Sequence, residues 1–452
     1  MPHSSTNRQL AQRPWVPPLA EERTDTIISA MPAQAGELLD AVEQLIGRNS
    51  EIHDVECVNL NPATNTMSPR ALAALSSGLG TRTSLGYAGA KYEMGLEAIE
   101  QIEVIAAELA AVVFDAQYAE VRAPSGAMAN LYAFMATASP GDPIIVPPAS
   151  IAGHVTHHSP GAAGLYGLDI HEAPIDAEGY TIDTNGLAAL AAAVKPRLIT
   201  VGSSLNLTHH DVPAIREIAD VHGAKVLFDA AHLSGPIAGR AWPNPLHQGA
   251  HLMTMSTYKS LAGPPAGLLV TNDSALAERV DAIAFPGLTA NFDVAKTAAL
   301  AITLGEWRQD GTAHAATMLA NAERLSSELI SRGVPVHTHE GSATRSHAFA
   351  VDARSFGGGT ALAQHLRRAN LLTSAIGLPS GADDGLRIGT NELTRLGATP
   401  DDMEHLADLL ARSTATTEPE SIAPEVGAFR HRFDTVHFVG APSPRRMTTS
   451  AP

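Results

Sequence analysis

KVLFDAAHLSGPIAGRAWPNPLHQGAHLMTMSTYKSLAGPPAGLLVTN, residues 225–272, holds three short apolar runs: KVLFDA (225–230), HLMTMS (251–256) and GLLVTN (267–272). Each is strand length, and each ends in small or polar residues. Further runs of this kind lie upstream: AEVRAP (119–124), PIIVP (143–147) and RLITVG (197–202). Helical stretches follow several of them, such as 126–138 and 213–222. Strands that alternate with helices predict an α/β fold built on a mostly parallel sheet. Ligands of such sheets bind at the carboxyl ends of the strands.

Outward from this core, residues 1–54 read as an N-terminal arm with a helix near 33–48, and 55–310 as the large domain. Residues 311–412 read as a smaller α+β domain, with a long helix near 313–332, strands near 335–338 and 347–352, and helices near 360–369 and 400–412. Residues 413–452 form a tail in which RHRFDTVHFVG (430–440) is expected to be partly ordered.

The 452 residues are 44% apolar and 17% charged, the balance of a globular protein. The net charge of −17 speaks against nucleic acid or an anionic membrane as a partner. No apolar run reaches the roughly 18 residues of a membrane span, and the N-terminus lacks the apolar segment of a secretory signal. The lone Cys57 excludes an internal disulfide framework and fits a cytoplasmic location.

There are five lysines: Lys91, Lys195, Lys225, Lys259 and Lys296. Lys259 follows the run 251–256 and precedes a Gly/Pro turn, which places its amine at the mouth of the sheet. There it is either a solvated loop lysine or an amine poised to form a Schiff base. Asp229 ends an apolar strand. It caps the next helix or meets a cation such as a protonated pyridine nitrogen. In APSGAMANLYAFM, the Ser125–Gly126 turn opens a helix at Ala127 and presents free N–H groups, as an ordinary cap or as a phosphate cradle. Ser256, Thr257 and Tyr258 add hydroxyls nearby. In SIAGHVTHHSPG, His154 can stack on a flat ring, whereas His154 with His158 at i, i+4 is a weak metal pattern without matching acids, so no metal is expected. In GLRIGTNELTRLG, Arg387 lies between apolar neighbours and suits a carboxylate better than a surface ion pair.

Taken together and in this order, PSGAMAN, GHVTHHSP, REIADVHGAKVLFDAAHLSG, STYKSLAGPPAG and GLRIGT resemble serine hydroxymethyltransferase and its relatives among the aspartate-aminotransferase-like, fold type I enzymes of pyridoxal 5'-phosphate (PLP). The resemblance covers roughly residues 55–412. It implies Lys259 as the Schiff-base lysine, Asp229 as partner of the pyridine nitrogen and His154 as the ring-stacking residue. It also implies His232 and Ser204 near the cofactor phenolic oxygen and the substrate, Gly126 and Ala127 at the phosphate turn, and Arg387 on the substrate carboxylate. A homodimer with shared active sites and a small amino-acid substrate follow from the same resemblance.

The chain departs from the family pattern at several positions. In RTSLGYAGAKYEMG the family's glutamate position holds Leu85, and two tyrosine positions hold Thr83 and Glu93. Tyr92 and Glu93 remain substrate-binding candidates. Ala63 stands where the family has a serine near the carboxylate, Tyr258 where it has a histidine, and Asn291, a cofactor-site candidate, where its loop has glycine. These changes suggest an altered reaction. The leading expectation is a specialised-metabolism enzyme acting on a cysteine S-conjugate, by β-elimination or decarboxylative oxidative deamination, of the kind found in lincosamide antibiotic biosynthesis. The alternative is an aldolase, transaldolase or hydroxymethyltransferase of serine, α-methylserine or threonine, with Tyr258 or Glu93 as the substitute base.

Overall fold

In a computed structural model, residues 9–439 are described. The chain forms two compact units, a short one that ends at Cys57 and a large one that begins at Val58. The short unit carries helices α1 (Pro18–Ser29) and α2 (Ala35–Ser50), followed by a wide helical turn over Glu51–Glu56.

The large unit is organised around seven strands: β1 (Tyr118–Glu120), β2 (Pro143–Val146), β3 (Asp169–Glu172), β4 (Leu198–Val201), β5 (Lys225–Asp229), β6 (Leu252–Ser256) and β7 (Gly267–Thr271). Their order across the sheet is β1-β7-β6-β5-β4-β2-β3. The pairs from β6 to β3 are parallel, and β7 runs antiparallel to both β6 and β1. Every residue of β4, β6 and β7 is buried. Burial on both faces is why these strands read as continuous apolar runs rather than as alternating ones. Helices α3 (Glu97–Phe114), α4 (Gly126–Thr137) and α5 (Val212–His222) belong to the same unit. All six expected runs are strands, to within a few residues at their ends.

One helix was underestimated. The stretch expected near 313–332 is the C-terminal half of α6, which runs from Val294 to Ser331 and starts at the Asp293 cap. Its first half, VAKTAALAITLGEW, is buried on nearly every side, so it lacks the polar face that marks a helix in a sequence. The expected boundary at 310/311 falls inside this helix. Beyond it a three-stranded antiparallel sheet forms from β8 (Ala348–Asp352), β9 (Ser374–Leu378) and β10 (Gly381–Gly389), in the order β8-β10-β9. Helices α7 (Gly359–Arg368), α8 (Met403–Ala415) and α9 (Ala423–Arg430) complete the unit. The strand expected at 335–338 shrinks to a single bridge between Val336 and Val351. In the tail, order extends through α9 to a strap whose Phe438 carbonyl accepts from the buried Arg395 side chain at 2.7 Å. The end of the stretch expected to be ordered, at residue 440, lies outside the described residues.

Candidate active site

The carboxyl ends of β4, β5 and β6 and the start of α4 converge on one cavity. Its lining includes Ser125, Gly126, Ala127, Asn130, His154 and Ser203, and continues through Ser204, Asp229, Ala231, His232, Ser256, Tyr258 and Lys259. Three residues past the end of β6, Lys259 is buried, with Nζ 3.1 Å from His232 Nε2. Among the described residues no carboxylate lies within ion-pair distance of it. Burial lowers its pKa to about 8, the Asp229 charge opposing and Arg387 assisting.

Asp229 closes β5. Its Oδ2 accepts from Asn130 Nδ2 at 2.9 Å and lies 2.9 Å from His157 Nε2, while Oδ1 accepts from the Ala231 N–H at 3.0 Å. Burial alone would raise this carboxyl's pKa. The bonds from His157 and Asn130 outweigh it and hold the group well below the usual carboxylate range. Asp229 is therefore a fixed buried anion. Asn130 is itself fixed, since its Oδ1 accepts from Thr254 Oγ1 at 2.6 Å and its Nδ2 also donates to Thr156 Oγ1 at 3.0 Å.

Burial drops His154 to a pKa of about 4 and His232 well below its ordinary value, so both imidazoles are neutral at pH 7. His154 Nδ1 sits 2.9 Å from Thr156 Oγ1. At the N-terminus of α4, Ser125 caps the helix by accepting from the Met128 N–H. A Cβ on Gly126 would stand 2.3 Å from Ser256 Oγ, so only glycine leaves this cradle open. Arg387, at the centre of the small sheet, donates through Nη1 to the Ser204 carbonyl at 2.6 Å and lies 3.4 Å from His232 Nε2. Through Nε and Nη2 it donates to Ser374 Oγ at 3.2 and 3.1 Å. It has no carboxylate partner among the described residues, and burial lowers its pKa to about 10.

Ser125, Gly126, Ala127, His154, Ser204, Asp229, His232, Ser256, Tyr258 and Lys259 thus share one cavity, and Arg387 borders it through His232 and Ser204. Tyr92, Glu93 and Asn291 do not line it within a single chain. Glu93 is held by Thr83 Oγ1 at 3.1 Å and the Leu85 N–H at 3.2 Å, and Tyr92 is 82% exposed on the same turn. Asn291 is exposed just before α6. The triplet His154, His157 and His158 also divides: His154 turns to Thr156, His157 to Asp229 and His158 toward Glu172. No group of three or more His, Cys, Asp or Glu side chains is placed to hold a metal among the described residues. Asn130 and His157 were not named as site residues from the sequence. For Asn130 the available signal was its place one turn into the helix after Ser125–Gly126, on the side that faces β5.

A model of the serine hydroxymethyltransferase family matches residues 34–410. The chain belongs to the serine hydroxymethyltransferase family. It is 56% identical over 435 residues to an alpha-methylserine aldolase of Variovorax paradoxus, covering 95% of this chain and 98% of that one. An alpha-methylserine aldolase of a Ralstonia species is 49% identical over 95% of this chain and 100% of its own. A serine hydroxymethyltransferase of Methanopyrus kandleri is 35% identical over 85% and 91%. The protein is accordingly a PLP-dependent enzyme of the transferase and lyase type. The residues present fit PLP: a buried amine without an acid partner among the described residues, a buried anion, a helix N-terminus that Gly126 leaves open beside Ser256, and His232 Nδ1, which is buried with no hydrogen-bond partner among the described residues. The relatives' names support hydroxymethyltransferase or aldolase chemistry. They lend nothing to the cysteine S-conjugate expectation or to antibiotic biosynthesis, and the leading reading of the sequence gives way to its alternative.

Proposed function

We propose that the protein cleaves the Cα–Cβ bond of a quaternary β-hydroxy amino acid of the α-methylserine type, without folate, releasing formaldehyde and leaving alanine. The observation that carries this reading is an intact cofactor cavity in a chain whose near relatives bear an aldolase name. The family's glutamate position, at Leu85, carries no acid here, and its backbone N–H donates to Glu93.

Lys259, Asp229, the Ser125–Gly126 turn and Ser256 would hold PLP, and His154 would lie on its ring. When bound, PLP withdraws electron density from the substrate Cα and so lowers the cost of breaking a bond there. Arg387, buried and without a carboxylate of its own, binds the substrate carboxylate and thereby fixes which Cα bond is presented for cleavage. An α-methyl substrate has no Cα–H, so proton abstraction at Cα is closed and the hydroxymethyl bond is left. The hydroxyl proton needs an acceptor as formaldehyde departs. Within one chain Glu93 does not line the cavity, and of the groups that do, a neutral imidazole is a stronger base than the Tyr258 phenol. His154 is unprotonated at pH 7 and fills that role. Lys259 Nζ, buried in the same cavity and released when the substrate amine replaces it, returns a proton to Cα. One proton leaves the hydroxyl and one reaches Cα, so the products balance.

The test is to incubate the PLP-loaded enzyme with α-methylserine, with no folate present, and assay formaldehyde and alanine. Stoichiometric release of the two is expected. Formaldehyde transfer that requires tetrahydrofolate, or no cleavage of α-methylserine beside active turnover of serine, would point to the hydroxymethyltransferase reading instead. A homodimer with shared sites belongs to the same proposal. It is supported by the apolar side chains that α1 and α2 leave open to solvent, including Leu19, Leu39, Leu45 and Ile46, and by the placement of Tyr92 and Glu93 away from their own chain's cavity.

A further inference from the structure

The contacts of Arg387 are unusual for a buried cation, because all of them are neutral. Ser204 O and His232 Nε2 meet Nη1, and a single hydroxyl, Ser374 Oγ, takes both Nε and Nη2. Ser374 stands directly opposite Arg387 on β9, in register across the β9–β10 pair. Its oxygen also lies 3.2 Å from Asn61 Oδ1. Asn61 Oδ1 can only accept, so the hydroxyl proton points to Asn61 and both lone pairs face the guanidinium. Asn61 is fixed in turn, because its Oδ1 accepts from the Ala63 N–H at 3.1 Å and its own N–H donates to Asn59 Oδ1 at 3.0 Å. The same loop reaches Lys259, whose carbonyl accepts from Asn65 Nδ2 at 3.0 Å.

A guanidinium has two edges that can grip a carboxylate in a fork, Nε with Nη2 and Nη1 with Nη2. Here the first edge is closed by Ser374. On the second, Nη2 keeps a free proton while Nη1 meets the Ser204 carbonyl at 2.6 Å and His232 Nε2 at the longer 3.4 Å, so a carboxylate that grips this edge takes the place of the His232 contact. We propose that Ser374 is a positioning residue for the substrate carboxylate: by occupying the Nε–Nη2 edge, with its proton committed to Asn61, it leaves only the Nη1–Nη2 edge to the substrate. That choice of edge sets the rotation of the amino acid about its carboxylate, and with it the bond at Cα that is cleaved. The inference rests on the assignment of Arg387 to the carboxylate and goes beyond the proposed reaction.

The experiment uses the PLP-loaded enzyme, wild type beside Ser374→Ala and Ser374→Thr. Equilibrium dissociation constants for alanine and for alaninol, which lacks the carboxylate, are read from the visible absorbance, and kcat and KM are measured with α-methylserine. Ser374→Ala is expected to weaken alanine binding and raise KM about ten-fold, because a guanidinium no longer held on one edge must be ordered when the carboxylate binds. It should leave alaninol binding unchanged and lower the ratio of Cα–Cβ cleavage to exchange of the alanine α-hydrogen with deuterated water. Ser374→Thr, which keeps the hydroxyl, should restore the three values that change. A merely structural role would weaken alanine and alaninol alike, and that result would overturn the proposal, as would unchanged alanine binding in Ser374→Ala. If Ser374→Ala does not fold, Ser374→Thr with lowered alanine affinity at full hydroxyl content also overturns it, and wild-type affinity supports it. Alanine binding needs no aldol cleavage, so an inactive wild type would sink the proposed function and leave this test standing.

Discussion

Lys259 shows how much a single side chain owes to its surroundings. As one of five lysines it is unremarked, and burial at the end of β6 beside a neutral His232 turns it into a weakened base with a pKa of about 8. An amine captures an aldehyde only when unprotonated. In the cofactor-free protein, the rate of PLP capture is therefore expected to rise with pH and level off with a midpoint near pH 8, followed by absorbance after mixing. A midpoint near the ordinary lysine value would contradict the buried geometry. Lys259→Ala is the control, and it should leave no adduct for borohydride to trap and no turnover. The linkage has a definite sign. Between pH 8 and 10.5 the unfolded chain keeps a lysine proton that the folded chain has lost, so the cofactor-free fold gains stability as pH rises through that window. Much of the cavity lining was legible from residue type and place: Lys259, Asp229, His154 and Ser125–Gly126. Asn130 and His157 were not, because their role is to hold Asp229, and that depends on which side chains a helix and a loop bring to one carboxylate.

At the scale of elements, the turn from β1 into α4 is set by its contact with β7. The Gly267 N–H donates to the Ala123 carbonyl at 2.9 Å, and a Cβ on Gly267 would lie 2.2 Å from the Ser125 carbonyl oxygen. Backbone cannot step aside as a side chain can. Gly267→Ala is expected to push the α4 N-terminus away from the cavity, costing roughly 1–3 kcal/mol of stability by overpacking and weakening PLP retention on dialysis. Unaltered retention and melting would show that the approach is looser than drawn. Strands β4, β6 and β7 were legible because strands buried on both faces must be apolar throughout. The start of α6 was not, for the same physical reason in a helix: buried all round, it shows no period. The expected strand at 335–338 is cut to one bridge, Val336 to Val351, because its backbone bonds to β8 stop after the His337 N–H to Ala350 carbonyl and the Asp352 N–H to Pro335 carbonyl.

For the whole molecule, the apolar side chains of α1 and α2 are the prominent feature. Neither helix contains a buried residue, and Leu39, Leu45 and Ile46 are 64–68% exposed. An exposed apolar row of this kind marks an interaction surface, and a second copy of the chain is the expected cover. Sedimentation of the wild-type protein should give a dimer or larger assembly, and Leu45→Asp combined with Ile46→Asp should shift it toward the monomer. A wild-type monomer at micromolar concentration would refute the expectation. No helix among the described residues is long and apolar enough to cross a membrane. The sequence by itself determined the α/β class and the family, and it brought Lys259 forward as the candidate cofactor lysine, because strand burial, helix N-termini and reactive residue types leave local patterns. Only the tertiary structure decided that Arg387 has neutral partners alone, that Ser374 and Asn61 close one of its edges, and that Glu93 stands apart from the cavity of its own chain. Those facts depend on register between strands and on contacts between residues hundreds of positions apart, which no local pattern records.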